Sequence, residues 1–220
     1  MGETDSRSSH DSCYEIYYIK EAALRLLLAG LGQHEWYGLF SDLADGQDRT
    51  QHETVNEILV WMYQNQIADW DGEGVVVRQP YADMLAVMLE KKKCVTVRMP
   101  RPFLPVRCCY LSDTQVIMTQ KSQREEHTLG MAQTSLCDWL RLLEASCSRL
   151  EEEESCTLTS GSSISGVSDQ TVRIYRYGLR GFRIVWDKGG GGQLRCMQEE
   201  FGTKLRELLC TDDPQGGYRQ

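Results

Sequence analysis

The chain has 220 residues, of which 41% are hydrophobic and 25% charged, enough for a core that needs no disulfide or metal staple. A formal net charge of −8 repels phosphate backbones and anionic lipid, so neither nucleic acid nor a membrane surface is expected as a partner. The apolar run at 22–31 is broken by Arg25 and falls short of the ~20 residues of a membrane helix, while the polar stretch 1–12 lacks the apolar centre of a secretory signal.

In chain order, 1–13 is expected to be a solvated tail, and 14–93 a mostly helical region. Apolar residues recur at helical spacing over 19–28, and Gly30 and Gly32 stop the helix. A short helix is expected at 36–43. Thr50 and Glu53 spell a capping box, and Val55, Ile58, Leu59, Met62 and Tyr63 behind it form one apolar stripe. Segments 68–70 and 75–77 flank a Gly-containing turn and predict a short hairpin. Pro80 fits the first turn of a helix that buries Met84, Leu85 and Met88, and the lysines at 91–93 suit the negative end of its dipole.

The period then switches from helical to alternating. Strands are predicted at 94–98, 106–111, 114–120 and 127–132, followed by an amphipathic helix with Leu136, Trp139, Leu140 and Leu143 on one face, making a unit over 94–150. The stretch 151–168 is acidic and then rich in Ser and Gly, the composition of a flexible linker. Strands at 172–177, 182–186 and 193–197 and a closing Leu-rich helix make a second unit over 169–210, before a tail at 211–220. Val106-Arg107 overlays Val172-Arg173, and with one deletion Leu136, Leu140 and Leu143 overlay Phe201, Leu205 and Leu208. The expected fold is therefore α+β: a helical N-terminal region in winged-helix-like order, then two βββα pseudo-repeats forming one antiparallel sheet flanked by helices.

A search for chemistry finds no catalytic, cofactor or metal set. None of the nine cysteines lies in a Cys-x-x-Cys pair or at ligand spacing from a histidine, and their odd number and irregular spacing suit reduced core thiols. His52 reads as an exposed first-turn residue. The serines between 160 and 168 form no Gly-x-Ser-x-Gly elbow, and the four glycines at 189–192 lack the Lys-Ser/Thr of a phosphate loop. The winged-helix order raises DNA binding, but between Thr50 and Val77 there is no Lys or Arg, while Glu53, Glu57, Asp69, Asp71 and Glu73 are acidic, so such a module would bind protein.

The layout resembles the EspG chaperones of type VII (ESX) secretion. The passage from Val55 to Glu90 has their order of long helix, Gly-containing turn, short strand and helix; strands and a helix follow, then a Ser/Gly-rich gap, a second strand set and a closing helix. The resemblance rests on layout and hydrophobic pattern, without a diagnostic motif. It implies a non-enzymatic cytoplasmic chaperone or adaptor that shields the tip of a helical secretion substrate, using a loop between central strands and the last helix. The matching loop is Lys121, Ser122, Gln123, Arg124, Glu125 and Glu126, polar and mixed in charge between two apolar strands, with Met131 and Trp139 as nearby anchors if exposed. The alternative is a winged-helix-containing regulator that acts through protein contacts, for which a separable segment 14–92 would speak.

Overall fold

The structure is a computed structural model that describes residues 14–33, 54–100, 107–123, 125–161 and 170–210. Strand β1, Tyr17–Lys20, leads directly into helix α1, Glu21–Gly30, which buries Ala23, Leu24, Leu27 and Leu28. The apolar periodicity predicts a helix from Ile19, but Ile19 belongs to β1 and enters the core from the sheet. The expected helix at 36–43 lies outside the described residues, as do Thr50, His52 and Glu53.

Helix α2, Val55–Gln64, is capped by Thr54 and Glu57, not by the pair four residues earlier. The Glu57 carboxylate accepts from the Thr54 amide at 2.7 Å, and the Thr54 hydroxyl accepts from the Glu57 amide at 3.3 Å. Both pairs spell the same Thr-x-x-Glu signature, and burial of Ile58 and Met62 fixes which one starts the helix. Strands β2, Ala68–Trp70, and β3, Val75–Val77, form the expected hairpin, its turn held by Asp71, whose carboxylate accepts from the amides of Glu73 and Gly74. Helix α3, Tyr81–Leu89, follows Pro80 and buries Met84, Leu85 and Met88.

Ten further elements complete the fold: β4 (Lys93–Arg98), β5 (Arg107–Leu111), β6 (Gln115–Lys121), β7 (Thr128–Ser135), α4 (Leu136–Cys147), β8 (Ser155–Gly161), β9 (Gln170–Tyr177), β10 (Gly181–Trp186), β11 (Gly192–Met197) and α5 (Gln198–Cys210). All strands but β2 and β3 join one antiparallel sheet in the order β1-β7-β6-β5-β4-β8-β9-β10-β11. The structure is thus α+β, with five helices among the described residues, and both strand sets share one sheet.

The linker expected at 151–168 is corrected over 155–161, while 162–168 lies outside the described residues. Ser155–Gly161 is strand β8, paired with β4 on one side and β9 on the other, with Cys156 and Leu158 fully buried. Its Ser/Thr content reads as loop, yet Cys156 and Leu158 alternate with Thr157 and Thr159, and β-branched threonine suits a pleated, half-covered surface. The second strand set therefore has four strands before its helix, where three were expected. A second difference concerns Lys93, expected at the end of α3. It opens β4, and its ammonium donates at 2.6 Å to the Leu209 carbonyl in the last turn of α5. The lysine complements a helix end, but of a helix more than a hundred residues away in sequence.

Alternation splits the sheet's residues between two cores. Val95, Val97, Cys109, Met118, Leu158, Ile174, Phe182 and Ile184 face α4 and α5, whose Trp139, Leu143, Phe201 and Leu205 close that side. On the opposite face Cys94, Tyr110, Ile117, Leu129 and Met131 meet α1, α2 and α3 through Leu24, Leu28, Met62, Met84 and Met88. This second core takes no residue from β8, β9, β10 or β11.

Candidate binding face on the open half of the sheet

Helices α4 and α5 cover one face of the sheet across both strand sets, whereas α1–α3 cover only the half built by β1 and β4–β7. Among the described residues, the other half of that face is uncovered. Its non-glycine strand residues are Ser155, Thr157 and Thr159 on β8, Thr171, Arg173, Tyr175 and Tyr177 on β9, Arg183 and Val185 on β10, and Gln193, Arg195 and Met197 on β11, and none is buried. An antiparallel sheet can leave one face in water, provided that face is polar.

Pairing places these side chains in rows. One row runs Arg98, Thr157, Arg173, Val185 and Gln193; the next runs Ser155, Tyr175, Arg183 and Arg195. At one interstrand spacing per step, the first row spans about 19 Å from Arg98 to Gln193, and Arg195 lies two residues further along β11. The Arg183 guanidinium stacks over the Tyr175 ring at 4.6 Å, and that of Arg195 over Tyr177 at 4.3 Å. Gly181 lies between Tyr177 and β11, and the Tyr177 ring passes 3.7 Å from where a Gly181 Cβ would lie, an ordinary contact. Beyond this row the turn exposes Leu179 at 90% and Met197 at 51%, which with Tyr177, Arg180, Arg195 and Glu200 line an open groove. The Glu200 carboxylate in that lining accepts from the Met197 amide at 3.2 Å.

The charge of the region departs from that of the chain. Strands β4 and β8–β11 contain no Asp or Glu, although the chain has 32, and they carry Lys93, Arg98, Arg173, Arg176, Arg183 and Arg195. The open face has no histidine, cysteine, lysine or carboxylate on its strands. It offers guanidinium groups, hydroxyls and aromatic rings, a set suited to gripping an anionic or planar group and poor in proton carriers.

The loop expected to form the interface is arranged differently. Lys121 is the last residue of β6, and the connection to β7 is a self-bonded hairpin turn: the Ser122 amide donates to the Thr128 carbonyl at 2.7 Å and the Glu125 amide to the Ser122 hydroxyl at 3.2 Å. Gln123, Glu125 and Glu126 are exposed, Ser122 is half-buried, and Arg124 lies outside the described residues. The supposed anchors are not available to it. Met131 is buried under α1–α3, and Trp139 is buried on the sheet-facing side of α4, on the opposite face of the sheet. The loop shares one end of the sheet with the Leu179 turn, with β5, β4 and β8 between them.

Among the described residues no group of three or more His, Cys, Asp or Glu could hold a metal ion, and no helix is long and apolar enough to cross a membrane. None of the eight described cysteines is in a disulfide, and six are buried. The sequence reading missed the arginine–tyrosine face. Its signal was present in the alternation Val172-Arg173-Ile174-Tyr175 and in the lack of acidic residues from 155 to 186, Asp169 excepted. No protein-family model and no curated protein matches the chain.

Proposed function

We propose that the chain is a non-enzymatic, cytoplasmic chaperone or adaptor that binds another protein through the open half of its sheet. The observation that carries this reading is the arginine–tyrosine face: it is wide, exposed and ordered by cross-strand stacking, and it has no convergent set of proton-transfer groups. Exposed apolar residues at its margin, Tyr177, Leu179 and Met197, supply the kind of anchors that interface cores use. The resemblance to EspG chaperones supports the same class, since one sheet built from two strand-and-helix sets suits that layout. We read β4–α4 and β8–α5 as two copies of one unit that meet at the β4–β8 pair, which would make the covered and open halves the same scaffold put to different uses.

A separable winged-helix module gains no support, because α1–α3 share a core with Tyr110, Ile117, Leu129 and Met131 of the sheet. The test is capture of the full-length chain from its native cell. One partner is expected in near-stoichiometric yield, and recovery of the chain alone would sink the reading.

A further inference from the structure

Among the described residues strand β11 ends the sheet, so its outward amides and carbonyls have no strand partner there, although the Met197 amide donates to the Glu200 carboxylate. Such an edge is a template for another strand unless it is blocked, and β11 lacks proline and any bulge in its pairing with β10. Beside it, Arg183 and Arg195 are direct cross-strand partners, a like-charge arrangement that disfavours the sheet in isolation. Each guanidinium carbon lies over a tyrosine ring, at 4.6 Å for Arg183 and 4.3 Å for Arg195, which restrains where the charge sits. An arrangement that is unfavourable alone and pre-ordered is what an anionic ligand would relieve.

Resting on the reading above, we propose that the partner supplies an acidic, extended peptide segment that pairs with β11 as an added strand and lays its carboxylates on Arg195 and Arg183. The two-residue period of a strand places alternate side chains of such a segment on the arginine face. Carboxylates fit the planar guanidinium fork, and an apolar residue of the segment meets Met197 and Leu179. A polynucleotide fits less well. The four glutamates at 151–154 lead straight into Ser155, which lies in the same cross-strand row as Arg183 and Arg195, and a continuous phosphate chain leaving the face on that side would meet them. The chain's net charge of −8 opposes a long polyanion further, whereas a short acidic segment needs only the local field.

The test uses the full-length protein and three labelled probes: a short synthetic peptide alternating Glu and Val, its Lys-for-Glu counterpart, and an oligothymidine. The Glu peptide is expected to bind in a salt-sensitive manner, the Lys peptide and the oligonucleotide not to. Arg183→Glu and Arg195→Glu are each expected to weaken the Glu peptide by about tenfold or more, the size of one lost charge-assisted contact. Arg183→Gln and Arg195→Gln keep the face uncharged at those positions and guard against a folding artefact, provided their melting temperatures match wild type. Hydrogen exchange is expected to slow at the outward amides of β11 when the Glu peptide is bound. Failure of the Glu peptide to bind, equal binding by the Lys peptide, binding unaffected by the variants, or unchanged β11 exchange each overturns the proposal. Oligothymidine binding through the same arginines would replace it with a nucleic-acid surface. If the cellular partner is captured equally by wild type and the double Glu variant, this inference fails while the adaptor function stands; if wild type captures nothing, the function itself fails.

Discussion

At the scale of single residues, burial decides what the cysteines can do. Burial pushes the Cys109 thiol up to about 12 and the Cys108 thiol up to about 11, and Cys94 is raised well above its ordinary value for the same reason. Cys147 is raised by its hydrogen bond with Cys156 and by burial. A thiol that does not ionise near neutral pH is neither a nucleophile nor a ready disulfide partner. In a Cys13→Ser background, a thiol reagent at pH 8 is expected to label exposed Cys137 and, more slowly because partial burial pushes its thiol up, Cys210 in the native protein, and all eight remaining cysteines in denaturant. Rapid native labelling of Cys109 would contradict the core described above. The α2 cap offers a second check. The Thr54 amide, and then its hydroxyl, hold the Glu57 carboxyl below its usual value, so its contribution is full above the ordinary carboxylate range and lost as pH falls through the depressed value. Glu57→Gln is expected to flatten part of the acid-side decline in the urea midpoint, and Thr54→Ala to cost about 1 kcal/mol at neutral pH.

At the scale of elements, the edge of the sheet depends on glycine. A Cβ at Gly181 would lie 2.8 Å from the Tyr177 carbonyl oxygen and 3.4 Å from that of Cys196, both backbone atoms of adjoining strands. Gly181→Ala is therefore expected to destabilise the protein by about 1–3 kcal/mol and to loosen the Arg195–Tyr177 stack, seen as a fall in melting temperature with a changed tyrosine signal. On the helix face, Phe201 is fully buried and stacks on Phe182 with ring centroids 4.5 Å apart. Phe201→Ala is expected to cost about 3–5 kcal/mol in chemical denaturation, because α5 then loses its main contact with β10. The β6–β7 turn behaves otherwise. Its hydrogen bonds are internal, so a Gly-Ser replacement of 122–126 is expected to leave the melting temperature within a few degrees and, with the interface on β9–β11, to leave partner capture intact.

At the scale of the whole molecule, the N-terminal helices are a cover, not a separate module. They complete the second core with Leu24, Leu28, Met62, Met84 and Met88, and strand β1 pairs with β7 at the far edge of the sheet. A chain starting at residue 93 would expose Tyr110, Ile117, Leu129 and Met131 together, a patch of the kind that drives aggregation. Such a truncation is expected to be insoluble or to bind a hydrophobic dye strongly; a monomeric, cooperatively folding product would show that the two parts are independent. The same cover ends before β8, which is why one sheet face is half core and half surface.

Local pattern was sufficient for most elements. The stripe of α2, the hairpin at 68–77, helix α3, the alternating strands and both amphipathic helices follow from periodicity, because each buries a face set by residues within a turn or two of one another. It was not sufficient for β8. Threonine and serine look alike in a loop and on the solvent side of a strand, and only pairing with β4 and β9 separates the two. Nor could it locate the candidate site. Arg183 is an ordinary alternating strand residue until the sheet order sets it opposite Arg195 and beside Tyr175. Sequence by itself determined most of the residues that leave water, since that depends on composition and period, but not all: Val55 and Tyr63 of the α2 stripe stay exposed. The tertiary structure alone decided which face stays uncovered, because coverage depends on how far helices packed from one end of the chain extend over strands from the other.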